Sequence, residues 1–154
     1  MATLGLIGGG NVGTTLARLA IDADLDVVLS NSRAPQTLSD LVTQLGPRAR
    51  ASTPPQAAAA GDWVVVTIPV GAIEAVPRDP LAGTTLIDTG DYFAPRDGSI
   101  PELETRELTD SELLQRHLHE AQVVKAFKDN RYRDQPAAPA SAAEIGVALA
   151  AARR

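Results

Sequence analysis

Gly8, Gly10 and Gly13 are the residues whose type and spacing most plainly imply chemistry. They fit G-x-G-x-x-G within Gly8-Gly9-Gly10-Asn11-Val12-Gly13, directly after the apolar run Thr3-Leu4-Gly5-Leu6-Ile7 and at the head of a helix-like stretch from Asn11. In this setting the first glycine permits a tight turn and the second lets the backbone approach a pyrophosphate. The third lets the helix pack against the strand. Backbone N–H groups and the positive end of the helix dipole then face an anion. A glycine-rich turn that binds nothing is the competing reading. The ordered series of strand, turn, helix and second strand favours dinucleotide binding.

The next informative residues follow the second apolar run. A site preferring NAD carries a carboxylate about 20 residues beyond the glycine turn, bonded to the ribose 2′-hydroxyl. Here that region reads Ser30-Asn31-Ser32-Arg33. No carboxylate stands there to repel a 2′-phosphate. Arg33 supplies a fork of donors for one, Ser32 a hydroxyl, and Asn31 completes the group. NADP(H) is the expected ligand. The far half of the nucleotide belongs past the C-terminal ends of the fourth and fifth strands, at Thr67-Ile68-Pro69-Val70 and at Thr89-Gly90. Ile68 and Pro69 could flank a ribose or nicotinamide ring.

The elements that must position these residues alternate between strand and helix. Strands are expected at Thr3–Ile7, Asp26–Ser30, Ala49–Ala51, Trp63–Ile68, Thr84–Asp88 and Gln122–Phe127. Helices are expected at Asn11–Asp22, around Leu38–Leu45 and stopped by Gly46, at Gln56–Ala60, at Ala72–Val76, and from the Thr109-x-x-Glu112 capping box to about His117. Residues 91–107 read as an irregular loop. Gln135–Ala140 reads as a connector, and Ser141-x-x-Glu144 caps a last alanine-rich helix with Ile145, Ala148, Leu149 and Ala152 on one face. The expected fold is α/β: a single-domain, doubly wound parallel sheet of Rossmann type in the order 3-2-1-4-5-6, over residues 1–134, with residues 135–154 as connector and helix.

Bulk properties narrow the function further. With 154 residues the chain is long enough for one core. A net charge of −5 argues against nucleic acid as the main partner. The absence of cysteine removes disulfides, thiol nucleophiles and thiolate metal sites, and two histidines make a histidine metal site improbable, so no metal is expected. No apolar run approaches a transmembrane helix, and the N-terminus enters a strand without a targeting segment. A cytoplasmic protein is expected.

Leu6–Gly13, Ser30–Arg33, Val64–Val70 and Val123-Val124-Lys125-Ala126-Phe127 together resemble the NADP oxidoreductases that use the deazaflavin coenzyme F-420, a group related to the dinucleotide-binding domain of pyrroline-5-carboxylate reductases. The resemblance spans about residues 2–127. It implies hydride transfer at the nicotinamide C4, with a deazaflavin or flavin-like co-substrate or a small imine or carbonyl acceptor, and a homodimer. In such chemistry the cofactor supplies the reactivity and the protein supplies position. No acid–base residue is therefore required. Three positions depart from the family: Thr37 stands where a basic residue is common, Lys128 follows the final Ala-Phe in place of Asn, and a charged, Pro/Ala-rich tail replaces the elements that close the second-substrate pocket. The last departure motivates an alternative, a non-catalytic NADP(H)-binding module or partner subunit; a Rossmann domain that has lost its nucleotide is a third.

Other side chains have a functional and a structural reading. Lys125 either points its ammonium at the substrate or is a solvated strand-end residue. His117 and His119 complement a helix C-terminus or act in catalysis. Asp88 and Asp91 form a carboxylate pair for acid–base work or mark a turn. Tyr92 and Phe93 wall a pocket or cap the core, and Trp63 packs. In each case the structural reading is preferred.

Overall fold

A computed structural model describes residues 1–127 of the chain. Six strands form one parallel sheet: β1 (Thr3–Ile7), β2 (Asp26–Ser30), β3 (Ala49–Ala51), β4 (Trp63–Val66), β5 (Thr85–Asp88) and β6 (Gln122–Lys125). Their order is β3-β2-β1-β4-β5-β6, so the sheet reverses direction of growth between β1 and β4. Register places Ile7 beside Ser30 on one side and Val66 on the other. The C-terminal ends of β1, β2 and β4 therefore come together, which is where an open α/β sheet forms its crevice.

Helices α1 (Asn11–Asp22), α2 (Ser39–Leu45), α3 (Pro54–Ala60), α4 (Ala94–Asp97), α5 (Pro101–Glu104) and α6 (Asp110–His117) complete the described residues, with 3-10 turns at Pro35–Leu38, Val70–Ala75 and Asp79–Leu81. Side chains alternate along each strand, so the sheet buries two faces. On one, Leu4, Leu6, Val27, Leu29 and Val65 meet Leu16, Ala17 and Ala20 of α1. On the other, Ile7, Val64, Val66 and Leu86 meet Ala58, Ile73, Leu114 and Leu118. Continuous apolar strands covered on both sides are what a parallel sheet requires.

Most boundaries agree with expectation to within two residues, and four of the differences have physical reasons. β4 ends at Val66, two residues early: the Thr67 N–H makes a last bond to the Ile7 carbonyl at 2.8 Å, and the chain then turns at Pro69. The segment after it winds as a 3-10 turn from Val70, with the Ala72 N–H donating to the Pro69 carbonyl at 2.9 Å. β6 stops at Lys125, and Phe127 turns into the left-handed region with φ 61°. Residues 91–107, expected as an irregular loop, contain α4 and α5, each opened by a proline near its first position. The Pro/Ala connector, the capped C-terminal helix and the boundary at residue 134 lie outside the described residues. Among those described, no helix is long and apolar enough to cross a membrane.

Candidate functional site

The glycine turn lies between β1 and α1. Gly8 takes φ 123°, a conformation that a side chain disfavours. Its N–H donates to the Ser30 carbonyl at 3.1 Å, and its carbonyl accepts the Thr67 hydroxyl at 2.9 Å. Three strands are thus tied at one point. Gly13 is buried under the turn, where a Cβ would collide with the Gly8 carbonyl. Gly10 contrasts with both: it is exposed and caps α1, and a Cβ there would meet nothing within 4 Å. No side chain caps α1, and no acidic residue stands in its first turn. The first-turn N–H groups of Asn11, Val12 and Gly13 precede the earliest helical bond, from Thr14 N–H to the Gly10 carbonyl at 2.8 Å. Asn11 is exposed, while Val12 leans on the core beneath. Gly9 faces Leu38, whose Cδ2 would stand 2.9 Å from an added Cβ.

After β2 the chain turns through Asn31, Ser32 and Arg33. The Asn31 side chain accepts from the Arg33 N–H at 2.9 Å and donates to the Thr37 hydroxyl at 2.9 Å. Asn31 shapes the loop through an Asx turn. Thr37 holds that turn, and it donates in turn to the Ala34 carbonyl. Ser32 and Arg33 are exposed, and the Arg33 guanidinium has no ion-pair partner among the described residues.

On the far side, Thr67 N–H donates to the Ile7 carbonyl at 2.8 Å. Ile68 is half-buried against the core, Pro69 is exposed, and Val70 is 3% exposed. Val70 packs inward, so any part it plays at the crevice belongs to its backbone. Thr89 donates both its N–H and its hydroxyl to the Val66 carbonyl, at 3.2 and 3.1 Å. Gly90 is buried, and its N–H donates to Asp88 Oδ1 at 2.7 Å.

The candidate reactive groups are engaged by structure. Asp88 is 3% exposed and accepts from Gly90, from the Ser111 hydroxyl at 2.8 Å and from Lys125 Nζ at 2.9 Å. Lys125 is not the solvated strand-end residue preferred from sequence. His117 is buried: Nδ1 accepts from Arg78 Nε at 3.3 Å, so Nε2 donates to the Val76 carbonyl at 2.9 Å. Its ring links α6 to the segment before β5. His119 is exposed. Tyr92 anchors the loop over the second core face: its hydroxyl donates to the Gly98 carbonyl at 2.8 Å and accepts the Ile100 N–H at 3.1 Å. Phe93 is 57% exposed. Arg96 forks onto Asp97 at 3.0 and 2.7 Å. This bond, ahead of the backbone N–H groups of Phe93 and Gly71, holds the Asp97 carboxyl below its ordinary value against the opposing effect of burial. A cleft of about 390 Å³ opens beside Val70, Ile73, Ile100, Leu113 and His117. None of residues 8–13 or 31–33 lines it.

The sequence matches the family model described as NADP oxidoreductase, coenzyme F420-dependent, over residues 3–92. The chain belongs to this family. The matched span runs from β1 through β5 and holds both the glycine turn and the Asn31–Arg33 loop. No curated protein matches the sequence. Among solved structures, a protein of Arthrobacter sp. FB24 named as an F420-dependent NADP-reductase superposes with TM-score 0.77 at 22% identity, over 98% of this chain and 80% of its own. A hypothetical protein from Sinorhizobium meliloti gives 0.73 at 25% identity, over 86% and 64%. An imine reductase from Streptomyces aurantiacus gives 0.58 at 22%, over 80% and 39%. The chain spans 80% of the first of these and less than two thirds of the other two. The likenesses at 22% carry the fold; the family match carries the assignment to NADP-dependent oxidoreductases.

Proposed function

We propose that the chain binds NADP(H) across the C-terminal edge of the sheet and serves hydride transfer to a deazaflavin, a flavin-like molecule or a small imine or carbonyl acceptor. The observation that carries the cofactor reading is the pairing of an open α1 N-terminus that no side chain caps with an exposed Arg33, at the end of the neighbouring strand, that has no ion-pair partner among the described residues. The space above Gly10 admits a pyrophosphate, and the absence of acidic residues from the first turn of α1 leaves its dipole for that anion. Ser32 and Arg33 then meet a 2′-phosphate, and Asn31 holds their loop. Thr67, Ile68, Pro69 and Val70 on one side and Thr89 and Gly90 on the other border the nicotinamide half. When bound, the cofactor supplies the hydride; the chain orients it. The acceptor reading rests on family membership, and the imine alternative also on the fold shared with an imine reductase.

The experiment is titration with NADPH and NADH, followed by NADPH oxidation with a panel of deazaflavin, flavin, imine and carbonyl acceptors. Turnover with one acceptor class supports the enzyme. Tight NADPH binding without turnover supports the second reading, a cofactor-binding module. The proposal includes a homodimer, which a monomeric mass in solution contradicts.

A further inference from the structure

Lys125 ends the outermost strand, yet its ammonium reaches three elements. It lies 2.9 Å from Asp88 Oδ2 at the end of β5 and donates at 2.5 Å to the Gly90 carbonyl in the following turn. It also stands 3.9 Å from Oδ2 of Asp110, the first residue of α6. Both carboxylates are buried, at 3% and 8% exposure, and without a cation between them they repel one another. A compact ammonium serves three oxygens at once, where a planar guanidinium fits two in line. Asp110 extends the same tie by accepting the Tyr92 N–H at 3.1 Å.

The tie has a consequence for the turn. The Thr89 N–H is given to Val66, the Gly90 N–H to Asp88 and the Gly90 carbonyl to Lys125. Among the described residues this leaves the Thr89 carbonyl as the backbone acceptor of Thr89–Gly90 that holds no hydrogen bond. A carboxamide NH₂ is the complementary donor, and a nicotinamide presents one.

We propose that Lys125 is a positioning residue for the nicotinamide half of the cofactor. Its ammonium clamps Asp88, Gly90 and Asp110 so that the Thr89 carbonyl is held ready for the carboxamide. The inference rests on the cofactor reading above and goes beyond it, because Lys125 acts through the turn and without touching the phosphates.

The test compares ligands with and without a nicotinamide. Wild type, Lys125→Met and the double variant Asp88→Asn/Lys125→Met are titrated with NADPH and with 2′,5′-ADP. The double variant removes the buried charge along with its partner and retains an amide oxygen for the Gly90 N–H, so it decides the matter if the single variant does not fold. The clamp predicts NADPH binding weakened by up to about tenfold, the upper scale of one hydrogen bond between neutral groups, with 2′,5′-ADP changed by less than about twofold. The rise in nicotinamide fluorescence on binding is lost in parallel. NADPH binding at wild-type strength, or equal loss of both ligands, overturns the clamp. Wild type that binds neither ligand overturns the cofactor reading itself, and the clamp with it.

Discussion

The Thr67 hydroxyl donates to the Gly8 carbonyl at 2.9 Å, and that carbonyl is also the atom against which Gly13 is packed. One oxygen therefore joins the end of β4, the glycine turn and the first turn of α1. Backbone separation here is set by the lack of a side chain at Gly13, whereas Gly10, three residues earlier, opens to solvent.

The two glycines should fail differently. Gly13→Ala drives a Cβ into the Gly8 carbonyl and is expected to cost about 1–3 kcal/mol of stability, the usual range for overpacking. Gly10→Ala meets no protein atom, so its unfolding midpoint stays near wild type while NADPH binding falls, because the methyl occupies the space reserved for the pyrophosphate. Urea denaturation and fluorescence titration of both variants check this. A Gly10→Ala protein that binds NADPH normally contradicts the placement of the phosphates.

His117 is expected to matter for stability alone. Its Nε2 donates to the Val76 carbonyl, and Nδ1 accepts from Arg78, at the end of α6 remote from Asp110. His117→Leu leaves a buried carbonyl unpaired and should cost about 1–3 kcal/mol. NADPH affinity of the folded variant should be unchanged, and a selective loss of affinity would bring His117 back as a site residue.

Acid should loosen the loop over the second core face through Asp97. Its carboxyl is held below the ordinary value, chiefly by Arg96, so folding favours the ionised form. That contribution is fully present above the unfolded value of about 4 and is lost as pH falls through the lower folded value. Wild type should lose part of its stability below about pH 4, and Asp97→Asn, already lacking the ionised form, should lose less over the same interval. Urea midpoints at neutral pH and in acid test it; equal losses in the two proteins would remove Asp97 as a cause.

The legible part of the fold was the part written in local pattern. β1, α1, β2 and β3 run where apolar runs, glycines and caps place them, and the Thr109–Glu112 box opens α6 with the Thr109 N–H bonded to the Glu112 carboxylate at 2.7 Å. The helices at 94–97 and 101–104 were not legible. They are too short to show a period, and Tyr92 holds them through its hydroxyl, a contact that no spacing rule encodes. The candidate site divides the same way. The glycine turn is a local motif and the Arg33 loop a neighbouring one. The partners of Lys125, by contrast, lie 15 to 37 residues away in sequence and become adjacent only when β5 pairs with β6 and α6 packs across them. A lysine at the last residue of an edge strand carries no sign of that in the chain itself.

The central claim is that this site accepts a dinucleotide carrying a 2′-phosphate, and Arg33 is its most direct probe. NADPH and NADH are titrated against wild type and Arg33→Ala. The account predicts that wild type prefers NADPH, and that Arg33→Ala loses roughly 1.5–3 kcal/mol of NADPH binding, the range for a hydrogen bond to a charged group, with NADH affinity little changed. Equal losses for the two nucleotides, or no loss for either, contradict it.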